Sequence, residues 1–172
     1  MHELEHRIVA ANGINLHVVL QGRGPLVIMC HGMPGLWYSW RHQLPAISAA
    51  GFRAVAIDQR GYGRSDRPIQ IEAYDSHHTL ADLVALLDAL GEDKAIFIGQ
   101  DFGAAQVYNL AIRHPDKVSA VVGMSCPYDF DFSGRGGAGA DPPADAVYTR
   151  AFAVPDKTPG EGFAAMARQQ FV

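Results

Sequence analysis

Apolar residues fall along this chain in short runs of two textures. Arg7 to Ala11 and Ile14 to Leu20 read as strands, and Asn12-Gly13 between them is a two-residue hairpin signal, so the chain is predicted to open on an antiparallel pair. Pro25 to Cys30, Arg53 to Ile57, Ala95 to Ile98 and Val118 to Met124 are near-continuous in apolar residues, as buried parallel strands require. Between them the period lengthens to that of a helix. Trp37 to Ala50 is predicted as the first helix. His77 to Leu90 is the clearest, with Leu80, Leu83, Val84, Leu87 and Leu90 on one face and Gly91 as terminator, and Phe102 to Arg113 is the third. A hairpin followed by alternating strands and helices predicts an open α/β sheet, whose ligands bind outside the carboxyl ends of its strands.

After Cys126 the texture changes. Pro127 to Pro143 is rich in glycine and proline and reads as a linker, while Tyr148 to Phe152 and Gly162 to Phe171 look helical. Val172 falls inside an amphipathic pattern with no cap, which reads as a truncation. With 172 residues, 48% hydrophobic, the chain holds material for one core but not for two ordinary domains. A net charge of −4 with scattered basic residues excludes a nucleic-acid footprint, and no apolar run is long enough to span a membrane. The charged stretch Met1 to Arg7 lacks the apolar core of a signal peptide, which places the protein in the cytoplasm. Cys30 and Cys126 are read as two thiols rather than a disulfide, and no CxxC or HExxH pattern calls for a metal.

The candidate chemistry lies in one turn. Gly99-Gln100-Asp101-Phe102-Gly103 follows a buried strand and precedes a helix, the pattern of a nucleophile elbow with aspartate at its tip. Glycines at 99 and 103 allow a tight turn and close packing of helix on strand, which an ordinary capping aspartate does not need. At a helix N-terminus the amide dipoles favour a carboxylate, and an aspartate is anionic without a neighbouring base. Its chemistry is attack on a carbon open to displacement, forming an ester. Gly134, Gly136 and Gly139 satisfy GxGxxG, but no strand leads directly into them, so they are read as a loop and not a dinucleotide site. His77-His78 beside Asp75 is read as a solvated helix start, because adjacent helical residues diverge.

Three loops then share one picture: His31-Gly32-Met33-Pro34-Gly35, Asp58-Gln59-Arg60-Gly61-Tyr62-Gly63-Arg64-Ser65-Asp66, and the Asp101 turn. With Trp37-Tyr38-Ser39-Trp40-Arg41 and Arg113-His114-Pro115-Asp116-Lys117-Val118, almost all of residues 10 to 128 resembles the epoxide hydrolases of the α/β-hydrolase superfamily. The resemblance implies an α/β-hydrolase fold with residues 1–128 as the first part of the core and 129–172 as a linker and the start of a helical lid. It implies Asp101 as nucleophile, the backbone N–H groups of Met33 and Phe102 as oxyanion donors, and His31, Pro34 and Trp37 at the substrate pocket. His31 is read as holding its loop rather than as a base. Trp37 and Trp40 either line the pocket or pack, and spacing does not separate the two. Tyr148 corresponds to a lid tyrosine that protonates the leaving alkoxide; a packing tyrosine is the other reading.

The implied substrate is a small apolar epoxide, with no cofactor, metal, nucleic acid or membrane. The implied mechanism also needs a histidine to activate water. Only His114 follows Asp101, and it is read as a surface residue, so a C-terminal half in the same or another chain is expected to complete the site. Two alternatives stand. Gln100 resembles haloalkane dehalogenases, but the side chains of Met33 and Phe102 cannot donate to a departing halide, and Phe102 replaces the arginine of fluoroacetate-type enzymes. The other is a non-enzymatic fragment or binding module using the same pocket.

Overall fold

The structure, a computed structural model, describes residues 3–127. Tyr148, the glycine loop at 134–139 and the lid segment 129–172 lie outside the described residues. Strands β1 (Glu5–Ala11) and β2 (Ile14–Gln21) form the hairpin, with Asn12 at φ 48° and Gly13 at φ 75°, the left-handed pair that a two-residue turn demands. β3 (Leu26–Cys30), β4 (Arg53–Ile57), β5 (Ala95–Gln100) and β6 (Val118–Met124) complete a six-stranded sheet of order β1-β2-β4-β3-β5-β6. β2 pairs antiparallel with β4, whereas β3 is parallel to β4 on one side and to β5 on the other. The chain therefore reverses its direction of travel across the sheet between β3 and β5, the kind of switch point at which open α/β sheets place their ligands.

Helices cover both faces, so the central strands β3 and β4 are buried on both sides. Leu26, Ile28 and Cys30 join a core with α2 (Ser76–Ala89) and α3 (Phe102–Arg113), while Val27 and Met29 face α1 (Gln43–Ala49) and Trp40. α2 starts on Asp75, which accepts the His78 N–H at 2.8 Å, and ends where Gly91 takes φ 75°. Burial pushes the Cys30 thiol up to about 12. Since the thiolate is the nucleophile, Cys30 should resist maleimide at neutral pH until the chain unfolds, while the half-buried Cys126 labels first; one rapid label by mass spectrometry checks this.

Three expectations are corrected. The helix expected over 37–50 is two elements, a 3-10 turn at Trp37–Trp40 and then α1, because Pro45 clashes with a helical carbonyl four residues back and lacks an N–H. β5 runs two residues past Ile98: Gly99 and Gln100 remain paired with Gly123 and Met124, so the elbow is a one-residue turn. β6, expected as a buried central strand, lies at the sheet edge among the described residues, with Val122 47% and Met124 40% exposed.

Candidate functional site

β3, β4 and β5 end at one edge of the sheet and deliver His31, Asp58 and Asp101 side by side. Asp101 is the single residue between β5 and α3. Its φ of 55° and ψ of −121° place an ordinary L residue in a strained conformation, and its side chain makes no capping bond to α3. The backbone still closes around it: Asp101 N–H donates to Met124 C=O at 2.9 Å, and Ala104 N–H donates to Asp101 C=O at 2.9 Å. Strain at one residue, with both flanks held, aims the carboxylate out of the sheet.

Close packing explains the two glycines. A Cβ on Gly99 would strike the Gly103 carbonyl, and one on Gly103 would strike the carbonyls of Cys30 and His31. Gly103→Ala is expected to cost about 1–3 kcal/mol through overpacking against backbone. A urea unfolding midpoint measures it, and an unchanged midpoint would show that the helix can move away. Gly32 approaches just as closely, since a Cβ there would lie 2.5 Å from the Asp101 Cβ.

That approach brings the His31–Gly35 loop against the elbow. Met33 N–H donates to Asp101 Oδ1 at 3.1 Å. Phe102, half-buried, is the first residue of α3, so its N–H lies at the positive end of the helix dipole. His31 is buried and both ring nitrogens are engaged: Nδ1 with Gly32 C=O at 2.8 Å, and Nε2 as acceptor of the Gln59 N–H at 3.2 Å. Burial lowers its affinity for a proton, consistent with a neutral ring whose work is holding the loop. The Tyr62 ring meets His31 edge-on at 4.9 Å, and burial, then the charge of Asp101, raises the Tyr62 phenol.

The remaining sequence-derived site residues divide. Pro34 follows a cis peptide bond and is exposed on the loop. Trp37 is half-buried with its ring edge-on to His6 at 5.0 Å and near His17 at 6.5 Å, whereas Trp40 is a core residue packed with Leu44. His114 caps the far end of α3; twelve residues at about 1.5 Å each put it about 18 Å from the elbow. Among the described residues no group of three His, Cys, Asp or Glu side chains is placed to hold a metal, and no helix is long and apolar enough to cross a membrane. A groove of about 210 Å³ lined by Arg7, Arg23, Arg53, Glu3 and Glu5 lies at the opposite end of the sheet.

Sequence reasoning missed the buried pair of His17 and Asp58 next to the site. His17 Nδ1 lies 2.7 Å from Asp58 Oδ2, and each residue is only 1% exposed. The available signal was a lone histidine inside the apolar strand Ile14 to Leu20, on the face opposite Leu16 and Val18.

The sequence profile of the α/β hydrolase fold matches residues 25–146. Epoxide hydrolase A of Mycobacterium tuberculosis is 51% identical over 123 residues, 70% of this chain and 38% of that protein. An epoxide hydrolase of Siraitia grosvenorii is 46% identical over 125 residues, 73% of this chain and 40% of its own length. The crystal structure of epoxide hydrolase A from Mycobacterium thermoresistibile superposes with a TM-score of 0.71 at 50% identity, covering 73% of this chain and 40% of that one. The chain thus spans about 40% of the length of the curated relatives it matches.

Proposed function

This chain belongs to the α/β-hydrolase fold family, and from that premise we propose that it carries the nucleophile part of an enzyme that opens an epoxide to a vicinal diol. The observation that carries the proposal is the strained Asp101 with Oδ1 on the Met33 N–H. The names of the relatives, epoxide hydrolases at 46–51% identity, support the substrate class.

In this mechanism the bound Oδ1 leaves Oδ2 as the attacking oxygen. Oδ2 forms a bond to a ring carbon as the carbon–oxygen bond of the epoxide breaks, and the ring oxygen departs as an alkoxide that Tyr148 protonates. Oδ1 is then the carbonyl oxygen of the ester. When water attacks that carbonyl, negative charge develops on Oδ1, where the Met33 N–H already lies and the Phe102 N–H is the second donor. The water-activating histidine is assigned to residues beyond these 172, in the same or a partner chain; His114 is too distant. The relatives' greater length supports this, as does the exposure of Val122 and Met124 on β6 among the described residues. The lid residues 129–172, with Tyr148, belong to the same proposal.

Intact-mass spectrometry after exposure to styrene oxide tests it. One covalent adduct mapped to Asp101, or diol released when the complement is present, is the expected result. Reversible binding with neither adduct nor diol would mean a binding module instead.

A further inference from the structure

Two consecutive residues grip both ends of the loop that carries Met33. At its start, Gln59 N–H donates to His31 Nε2 at 3.2 Å and the Gln59 side-chain amide donates to His31 C=O. At its end, Trp37 N–H donates to Asp58 Oδ1 at 2.9 Å. Between these anchors the loop closes on itself through Gly35 N–H and Gly32 C=O at 2.7 Å, and Met33 N–H reaches Asp101.

Asp58 is itself held. Its Oδ2 accepts from His17 Nδ1 at 2.7 Å and from Arg64 N–H at 3.1 Å, and Gly63, at φ 51°, passes so close that a Cβ would strike the carboxylate. An ionised carboxylate only accepts, so His17 Nδ1 donates to it, and the other ring nitrogen, Nε2, is hydrogen-bonded to His6 Nδ1 at 3.0 Å. The outer ring, His6, stacks on His17 at 5.2 Å and meets the edge of Trp37. Buried charge survives only when its lone pairs are met, and here each bond that meets them also fixes an orientation.

We propose that Asp58, oriented by His17 and backed by His6, is a positioning residue for the backbone donor at Met33. This rests on the assignment of Met33 as the donor to Asp101 and its ester. The effect is transmitted through Trp37: without His17, Oδ2 keeps one backbone donor, the buried carboxylate turns toward other partners, and the end of the loop moves with it. Displacement of a reacting geometry by about 1 Å costs on the order of 100-fold in rate.

The test compares His17→Leu with His17→Asn in the full chain. Asparagine places an N–H donor at the same branch position as Nδ1; leucine places none. The first readout is hydrogen exchange of the Met33 amide, with the Val55 amide in β4 reporting the core. The second is the rate of adduct formation with styrene oxide, which depends on the Met33 N–H holding Oδ1 so that Oδ2 is the oxygen presented for attack. His17→Leu should speed Met33 exchange and slow adduct formation by about 10- to 100-fold with Val55 protection kept, and His17→Asn should restore most of both. Met33 exchange unchanged in a folded His17→Leu, or no recovery in His17→Asn, overturns the proposal. If leucine unfolds the chain, His6→Ala on the exposed strand replaces it: Met33 exchange must rise as the His17 ring nitrogens shift, and no change overturns the proposal. Should the wild type form no adduct, the nucleophile assignment fails, while Met33 exchange still decides the positioning role.

Discussion

Asp101→Asn is expected to abolish capture of styrene oxide, lowering the rate of adduct formation by at least about 10³-fold, the scale on which loss of a nucleophile acts. Asparagine keeps the shape of the side chain and, with aspartate, is among the residues that tolerate positive φ, so the turn at φ 55° survives. Its amide oxygen still accepts the Met33 N–H, now 3.1 Å from Asp101 Oδ1. Only the anionic second oxygen is lost. The measurement is the intact mass over time, beside the thermal midpoint of each protein. A similar midpoint with no adduct assigns the chemistry to Asp101, whereas adduct formation at the wild-type rate would place the nucleophile elsewhere.

Asp82→Ala is expected to cost about 3–5 kcal/mol, because it leaves the Arg60 guanidinium buried without its counter-ion. Arg60 meets Asp82 through two bonds, Nε to Oδ2 at 2.8 Å and a terminal nitrogen to Oδ1 at 2.5 Å, with side chains 4% and 5% exposed. Asn12 adds a third donor to Oδ1 at 2.8 Å. One carboxylate on α2 therefore ties the hairpin turn to the loop after β4. The bond to Asp82 raises Arg60 in the native protein, and even without that bond a guanidinium keeps its proton, so the charge cannot be relieved by deprotonation. Urea unfolding measures the loss, and the double variant Arg60→Met, Asp82→Leu should regain most of it, since the desolvation cost leaves with the charges. A loss under about 1 kcal/mol in Asp82→Ala would show that water or movement relieves the orphaned charge.

Both residues illustrate where local pattern stops being informative. Asp101 was legible because its position is written in adjacent residues: a buried strand, two glycines and a helix leave few conformations for what lies between. Asp82 was not, since a polar residue on an amphipathic helix looks solvent-facing until a partner from another element covers it. The same holds for His17 and Asp58, 41 residues apart, and for Arg60 and Asp82, 22 apart. Pro45 is a local signal against one continuous helix over 37–50, readable from the sequence alone.

The hairpin at Asn12-Gly13, the alternation of strands and helices, and the elbow at Asp101 were set by short-range constraints, namely φ preference, side-chain period and the steric need for glycine. Tertiary structure alone decided the strand order, with β3 between β4 and β5, and hence which loop ends meet. It also decided that Met33 N–H faces Asp101 and that Asp58 is held by His17. Those pairings follow from which strands lie side by side. Periodicity reports only which face of an element is apolar, and so carries no record of the neighbour that a buried polar group will find.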